Sequence, residues 1–371
     1  MQLLPLQEVA SQIKPGMTLA WGVRDSNGKL LLARGHRVTD AGMLQALLAR
    51  GVFVDANEMR AAAGGTNVVK PREGFFGRWR LSSARLNTLL TSPQSELRAA
   101  LHEVVDVLMT LAERYPDKVL FQILRHDQTR LQSYGVSHSL HCAAVCCLTG
   151  KRMGWGDAER RTLVGAAMSM NLSMIELQGR LAVQTAPPTV DQRSAIHDHP
   201  HRSADQLRAA GIDDPLWLAA VEQHHERVDG AGYPSGRDDV AEFAQALQYV
   251  DIFTAKLSAR SSRQALPPNQ AAREIFTGSG GHPLAAALVK EFGIYPPGCF
   301  VRLSSGEIAI VVHRGETVNT PVVACLTKAN GQAMMRPQRR ETAAKDSAIV
   351  ALVADADVMV RVPWETLYDD D

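Results

Sequence analysis

Residues 224–236 read HHERVDGAGYPSG. The adjacent His224 and His225 offer two imidazoles to one metal region, and imidazole suits divalent transition metals. Glu226, Arg227 and Asp229 follow as charged neighbours. Gly230, Gly232 and Pro234 then shape a tight turn around Tyr233, because glycine reaches backbone angles closed to other residues and proline locks one of its own. The run is a preshaped loop beside paired metal-ligand candidates.

Outward from this run, composition sets bounds. A chain of 371 residues suggests two or three domains rather than one. An apolar fraction of 45% with 21% charged residues is that of a chain able to build real cores. The formal net charge of +1 gives no reason to expect nucleic acid or an anionic membrane as a partner. No apolar run approaches the roughly 20 residues that span a bilayer. The start, MQLLPLQEVASQIKPGM, lacks a basic segment followed by a long apolar one, so a cytoplasmic location is expected. Cys142, Cys146, Cys147, Cys299 and Cys325 form no CxxC pair and read as small buried side chains.

The first 60 residues alternate short apolar runs with turn signals. Thr18–Val23 and Lys29–Ala33 are expected as hairpin strands closed around Asn27-Gly28, followed by a helix capped at Thr39 or Asp40 with Met43, Leu44, Leu47 and Leu48 on its buried face. Residues 61–94 read as a linker, rich at first in Gly, Pro and basic residues. Over 95–285 the apolar spacing turns helical: Leu101, Val104, Val105, Leu108 and Leu111 recur on one face, as do Leu140, Ala144, Cys147 and Leu148. Residues 286–371 are expected to be β-rich, with strands at Phe300–Leu303, Ile308–Val312, Val322–Leu326 and Ala348–Val353. The expected class is α+β and multidomain: an all-α bundle flanked by small N-terminal and C-terminal β-rich modules.

The run at 224–236 resembles the signature of the HD-GYP family, metal-dependent phosphodiesterases that degrade cyclic di-GMP. The likeness extends to IKPGM and NGKLLLARGHRVT near the start and to YPPGCFVRLSSGEIAIVV at 295–312. It implies an HD-type helical bundle. It also implies metal-ligand positions at His138 (VSHSLHCAAVCC), His199 (HDHPHRSADQL), His224, His225 and Asp251 (YVDIF). Arg260 and Arg263 stand where the family carries an Arg-Pro-Tyr-Arg stretch, without the Pro-Tyr between them.

The family's His-Asp-x-Gly-Lys is missing. In its place stands GAAMSMNLSM at 165–174, with Ser169 for the histidine, Met170 for the aspartate and Ser173 for the lysine. Tyr134 takes the position of a carboxylate that some members add. His197-Asp198 spells an HD dipeptide but lies too close to His224 and beside His199, which already fills another family position.

Physically, the loss is severe. Two-metal hydrolysis sets two dications about 3.5–4 Å apart, and at 4 Å they repel by roughly 16 kcal/mol at an effective dielectric of 20. A bridging aspartate offsets this repulsion, and Met170 cannot. A dinuclear centre is therefore not expected. What remains is one divalent ion (Fe, Mn, Zn or Ni) on the histidines, or a metal-free, hydrogen-bonded pocket. Arg227 either pairs with Glu226 or meets a nucleotide phosphate.

The resemblance and the loss together imply a degenerate member that is inactive and works by binding. Its implied partners are a GGDEF diguanylate cyclase or cyclic di-GMP itself. The alternative is an active phosphodiesterase with a reduced, mononuclear site.

Overall fold

The chain divides into two units, residues 1–73 and 74–371. The computed structural model describes residues 3–14, 16–25, 30–49, 52–55, 58–59, 74–91, 97–127, 131–360 and 362–368.

In the first unit, β1 (Leu3–Pro5), β2 (Val23–Arg24), β3 (Leu30–Leu32) and β4 (Phe53–Asp55) form an antiparallel sheet in the order β1-β4-β2-β3. The expected hairpin is present as β2 on β3, although the first strand is shorter than Thr18–Val23, and Asn27-Gly28 lies outside the described residues. Helix α1 (Ala41–Ala49) starts where Asp40 Oδ1 accepts the Met43 N–H at 2.8 Å, which satisfies a donor that the first helical turn leaves free. Met43, Leu44, Leu47 and Leu48 pack on a core built from Leu6, Leu19, Trp21, Val23 and Val54.

The second unit begins with a correction. Helix α2 (Phe75–Thr91) occupies most of the second half of the stretch expected as linker. Phe75, Trp79, Ser82, Leu86, Leu89 and Leu90 are buried along one helical face. Interleaved arginines hid that spacing. The expected linker residues 61–73 and 92–94 lie outside the described residues.

Helices α3 (Leu97–Arg114), α4 (Pro116–Leu124), α5 (Tyr134–Arg152), α6 (Asp157–Ser169), α7 (Ile175–Val183), α8 (Val190–Ala209), α9 (Pro215–Gln223), α10 (Glu242–Leu257), α11 (Pro268–Gly278) and α12 (Pro283–Phe292) complete the bundle. Helix α5 is its axis: from Tyr134 to Gly150 nearly every side chain is buried, Cys142, Cys146 and Cys147 included. A helix apolar all round belongs inside a bundle. Among the described residues, no helix is long and apolar enough to cross a membrane.

Two local signals set α8 and α9, which carry three of the histidines. Thr189 and Gln192 form a reciprocal capping box at the start of α8. Asp214 accepts the Leu216 and Trp217 N–H groups ahead of α9, with Pro215 at the first helical position.

Five strands follow: β5 (Phe300–Leu303), β6 (Ile308–His313), β7 (Val322–Thr327), β8 (Ala333–Glu341) and β9 (Ile349–Val353), antiparallel in the order β8-β7-β6-β5-β9. Phe300, Ile310, Val312, Ala324 and Leu326 face Phe121 of α4 and Tyr368, while Val301, Ala309, Val311, Val323 and Cys325 fill the opposite face. The sheet is the expected C-terminal β-rich region and belongs to the same unit as the bundle. The expected boundary at 285/286 falls inside α12.

Candidate functional site

Four elements aim side chains at one spot. His199 sits mid-way along α8 and is followed by Pro200. Proline has no N–H, so the carbonyl four residues back loses its helical donor. That carbonyl is Ile196 O, and His199 Nδ1–H donates to it at 2.5 Å. His224 caps the C-terminal end of α9, where the last carbonyls are also free. Its Nδ1–H donates to Val221 O at 2.7 Å.

With both Nδ1 atoms acting as donors, neutral rings carry their lone pairs on Nε2. Those two Nε2 atoms face each other at 3.2 Å. Two lone pairs at that distance repel unless a cation lies between them. A proton is disfavoured: burial and the neighbouring His225 push His199 down to about 4, and burial with His225 and His199 drives His224 well below its ordinary value. A metal fits instead. Nitrogens bound at about 2.0–2.1 Å to a tetrahedral zinc stand roughly 3.3–3.4 Å apart. His225 adds a third nitrogen, all three donor atoms lying within 4.8 Å of one another. The donor set thus suits one ion with an open position, as three-histidine sites provide.

His138 of α5 and Asp251 of α10 make a second group and satisfy each other. His138 Nε2 lies 2.6 Å from Asp251 Oδ1. Burial pushes the Asp251 carboxyl up, but the His138 hydrogen bond and the charges of His138, His225 and His224 outweigh it and hold it well below the usual carboxylate range. Cys142, one turn after His138, approaches His138 Nε2 at 3.5 Å and Thr254 Oγ1 at 3.0 Å. Cys142, His138 and Asp251 could enclose a second ion, yet burial first and Asp251 next raise the thiol well above its ordinary value, so the thiolate ligand is scarce. Tyr134 lies flat on His138, with centroids 5.3 Å apart and planes at 12°, and Arg260 covers Tyr134 while donating to its hydroxyl at 2.6 Å. The spacing 134, 138, 142 marks one face of a helix, a signal the sequence carried. His141, on the same helix, turns elsewhere: it stacks on Trp79 and meets His126 edge-on.

Ser169, Met170 and Ser173 all do structural work. Ser169 ends α6, donating to Gly165 O at 2.8 Å and accepting from Trp217 Nε1 at 2.9 Å. Trp217 lies so close over Gly165 that a Cβ there would stand 2.2 Å from the indole. Met170 is fully buried in the main hydrophobic core. Ser173 donates to His199 O at 3.1 Å and meets Ser203 Oγ at 3.0 Å, fixing α8 where it carries the ligand.

In the loop, the pairing of Glu226 with Arg227 is corrected. Glu226 is buried and accepts the Ser235 N–H at 2.6 Å and the Arg237 N–H at 3.2 Å, while Arg227 reaches outward and pairs with Asp229. Sequence adjacency misled here: successive side chains leave the backbone in different directions. Gly230 takes φ +71°, and a Cβ on Gly232 would stand 2.4 Å from Arg227 N. This crowding brings Tyr233 back over His225: its N–H donates to His225 O at 3.1 Å, and its ring stacks on the His225 ring at 4.6 Å. Pro234 follows Tyr233 through a cis peptide bond. His197-Asp198 lies at the surface and is no replacement dyad; its imidazole stacks with Tyr233.

Residues 118–282 match a family described as HD domain. This stretch is an HD domain. It falls inside the helical bundle and holds every candidate ligand named above. The chain is homologous to cyclic di-GMP phosphodiesterases of the HD-GYP type. It is 26% identical over 220 residues to "Cyclic di-GMP phosphodiesterase PA4108" of Pseudomonas aeruginosa, spanning 56% of this chain and 53% of that protein. It is 26% identical over 140 residues to "Cyclic di-GMP phosphodiesterase response regulator RpfG" of Xanthomonas campestris, 37% of each chain. It is 28% identical over 148 residues to "3'3'-cGAMP-specific phosphodiesterase 3" of Vibrio cholerae, 37% of this chain and 30% of that one. The HD domain chain thus spans about half or less of the curated relatives it matches. Among solved structures it is similar to Bd1817, a HDG"Y"P protein from Bdellovibrio bacteriovorus, at 14% identity and a TM-score of 0.48, covering 78% of this chain and 97% of that one.

Proposed function

We propose that this HD domain chain serves cyclic di-GMP signalling as a binding protein that no longer hydrolyses its nucleotide. The observation that carries the reading is Met170: at the position of the bridging aspartate, an apolar side chain is sealed in the core. The rest of the site supports it. His138 and Asp251 satisfy each other, and among the described residues the trio His199, His224 and His225 keeps lone pairs in want of a cation. One Fe, Mn, Zn or Ni ion held there would give a ligand phosphate an anchoring charge. Arg260, poised over Tyr134, supplies an organic one. The outward side of the loop, with Arg227, Asp229 and the exposed Val228, suits a protein partner such as a GGDEF domain.

The test pairs metal analysis of protein purified without added metal with a hydrolysis assay on cyclic di-GMP in Mn, Fe, Ni and Mg. The expected outcome is no more than one ion per chain and no linear product, with calorimetric binding of the nucleotide or of a GGDEF partner. Metal-dependent turnover that vanishes in His224→Ala and His225→Ala would replace this reading with a mononuclear phosphodiesterase.

A further inference from the structure

His199 and His224 are each oriented by a hydrogen bond from Nδ1 to a carbonyl of their own helix. Metal-binding histidines nearly always have such a partner on the second nitrogen. His225 differs. Among the described residues, no hydrogen bond holds either of its ring nitrogens; its ring instead meets His224 at 4.1 Å and Tyr233 at 4.6 Å.

The Tyr233 contact does not end there. Tyr233 and His225 lie nearly parallel, at 22°. Tyr233 also stacks with the exposed His197, at 5.5 Å and 23°. His197 is itself steadied at 3.0 Å from Asp198 Oδ1, and Asp198 Oδ2 accepts from Ser194 Oγ at 3.4 Å. Tyr233 therefore links the surface His197 to His225 of the histidine trio through two near-parallel ring contacts. One turn further along α8, His201 Nε2 lies 3.3 Å from Ser235 Oγ and ties down the same loop.

We infer that His197 is a positioning residue: by clamping Tyr233 from outside, it fixes the ring plane of His225 and so the direction of the third ligand nitrogen. Stacked faces hold a plane where no hydrogen bond does, and aromatic pairs favour offset, near-parallel contact at such distances. A side chain that looks like half of an erased dyad thereby acts at the site through Tyr233. The inference rests on the reading of His225 as a metal ligand.

The experiment compares the full chain with His197→Ala and His197→Phe. His197 is at the surface, so both variants are expected to fold, and circular dichroism verifies it. Two quantities are read: imidazole proton and nitrogen resonances of His225 in metal-free protein, and affinity for Co²⁺ by competition with a chelator, together with the cobalt visible spectrum. His197→Ala is expected to shift and broaden the His225 resonances and to weaken cobalt binding about 5- to 10-fold, toward the lower end of losses seen when ligand-orienting groups are removed. His197→Phe, which keeps the clamp without a ligating nitrogen, is expected to bind within about twofold of the parent. Unchanged His225 resonances in His197→Ala overturn the inference, as does a phenylalanine variant as weak as the alanine one. A parent chain that binds no cobalt counts instead against the one-metal reading, and the metal-free resonances still decide the role of His197.

Discussion

Ser169 and Met170 both have structural partners in the fold. Ser169 needs only the space of a hydroxyl, because Gly165 has let the Trp217 indole fill the rest. Met170 contributes a fully buried apolar side chain to the core. Returning the aspartate alone would bury a carboxylate with no cation beside it. Met170→Asp is thus expected to cost about 3–5 kcal/mol, the range for an uncompensated buried charge, read as a drop in denaturant midpoint. Adding Ser169→His would drive an imidazole toward the indole, and metal analysis of the double variant is expected to find no second ion per chain. A second ion in that variant would mean the site is poised for repair. The candidate ligands were legible in sequence because chemistry-bearing residues are rare enough to be matched one by one. The partner of Glu226 was not, since a carboxylate beside an arginine looks paired until the backbone shows their directions.

Helix α8 carries the same lesson at the scale of an element. A proline inside a helix costs roughly 3 kcal/mol, and here the freed Ile196 carbonyl becomes the acceptor that orients His199. Pro200→Ala would hand that carbonyl a backbone donor to compete with the imidazole. The variant is expected to melt at a higher temperature than the parent while binding metal 10- to 100-fold more weakly, the loss typical of an orienting partner. Equal affinity in both proteins would show that the proline serves the helix path and not the ligand. Among strands, β5, β6, β7 and β9 were visible because runs of apolar residues mark their positions. β8 was missed: AMMRPQRRE has no such pattern, being an edge strand paired only to β7 and largely solvent-facing. α2 was missed for the converse reason, as basic residues on its wet face masked the buried stripe.

For the second unit as a whole, a partly buried ionic junction helps to join bundle and sheet. Arg314, just past β6, lies 2.5 Å from Asp117 of α4 and 2.7 Å from Glu291 of α12, and Glu291 also accepts from Arg152 of α5. Burial pushes the Asp117 carboxyl up, but His313 and Arg314 more than reverse it and leave it below its ordinary 3.8. A carboxylate depressed in the folded state adds stability that is complete above its unfolded value and is lost as pH falls through the folded one. Asp117→Asn is accordingly expected to cost up to about 3 kcal/mol near neutral pH, with the gap to the parent closing below about pH 4. Denaturant melts at several pH values check this, and a gap independent of pH would mean the arginine gains nothing from the charge.

The way the sheet meets α4 bears on how this protein can be dissected. Phe121 is wholly shielded, with Tyr368 and Trp364 seated edge-on against it from the far end of the chain. Severing the polypeptide after Phe292 to isolate the helical bundle would strip that ring bare and take Arg314 away from Asp117, leaving Glu291 with Arg152 alone. A trimmed fragment is then a sticky, acid-scarred object, and silence from it in a binding experiment would speak only of the wound.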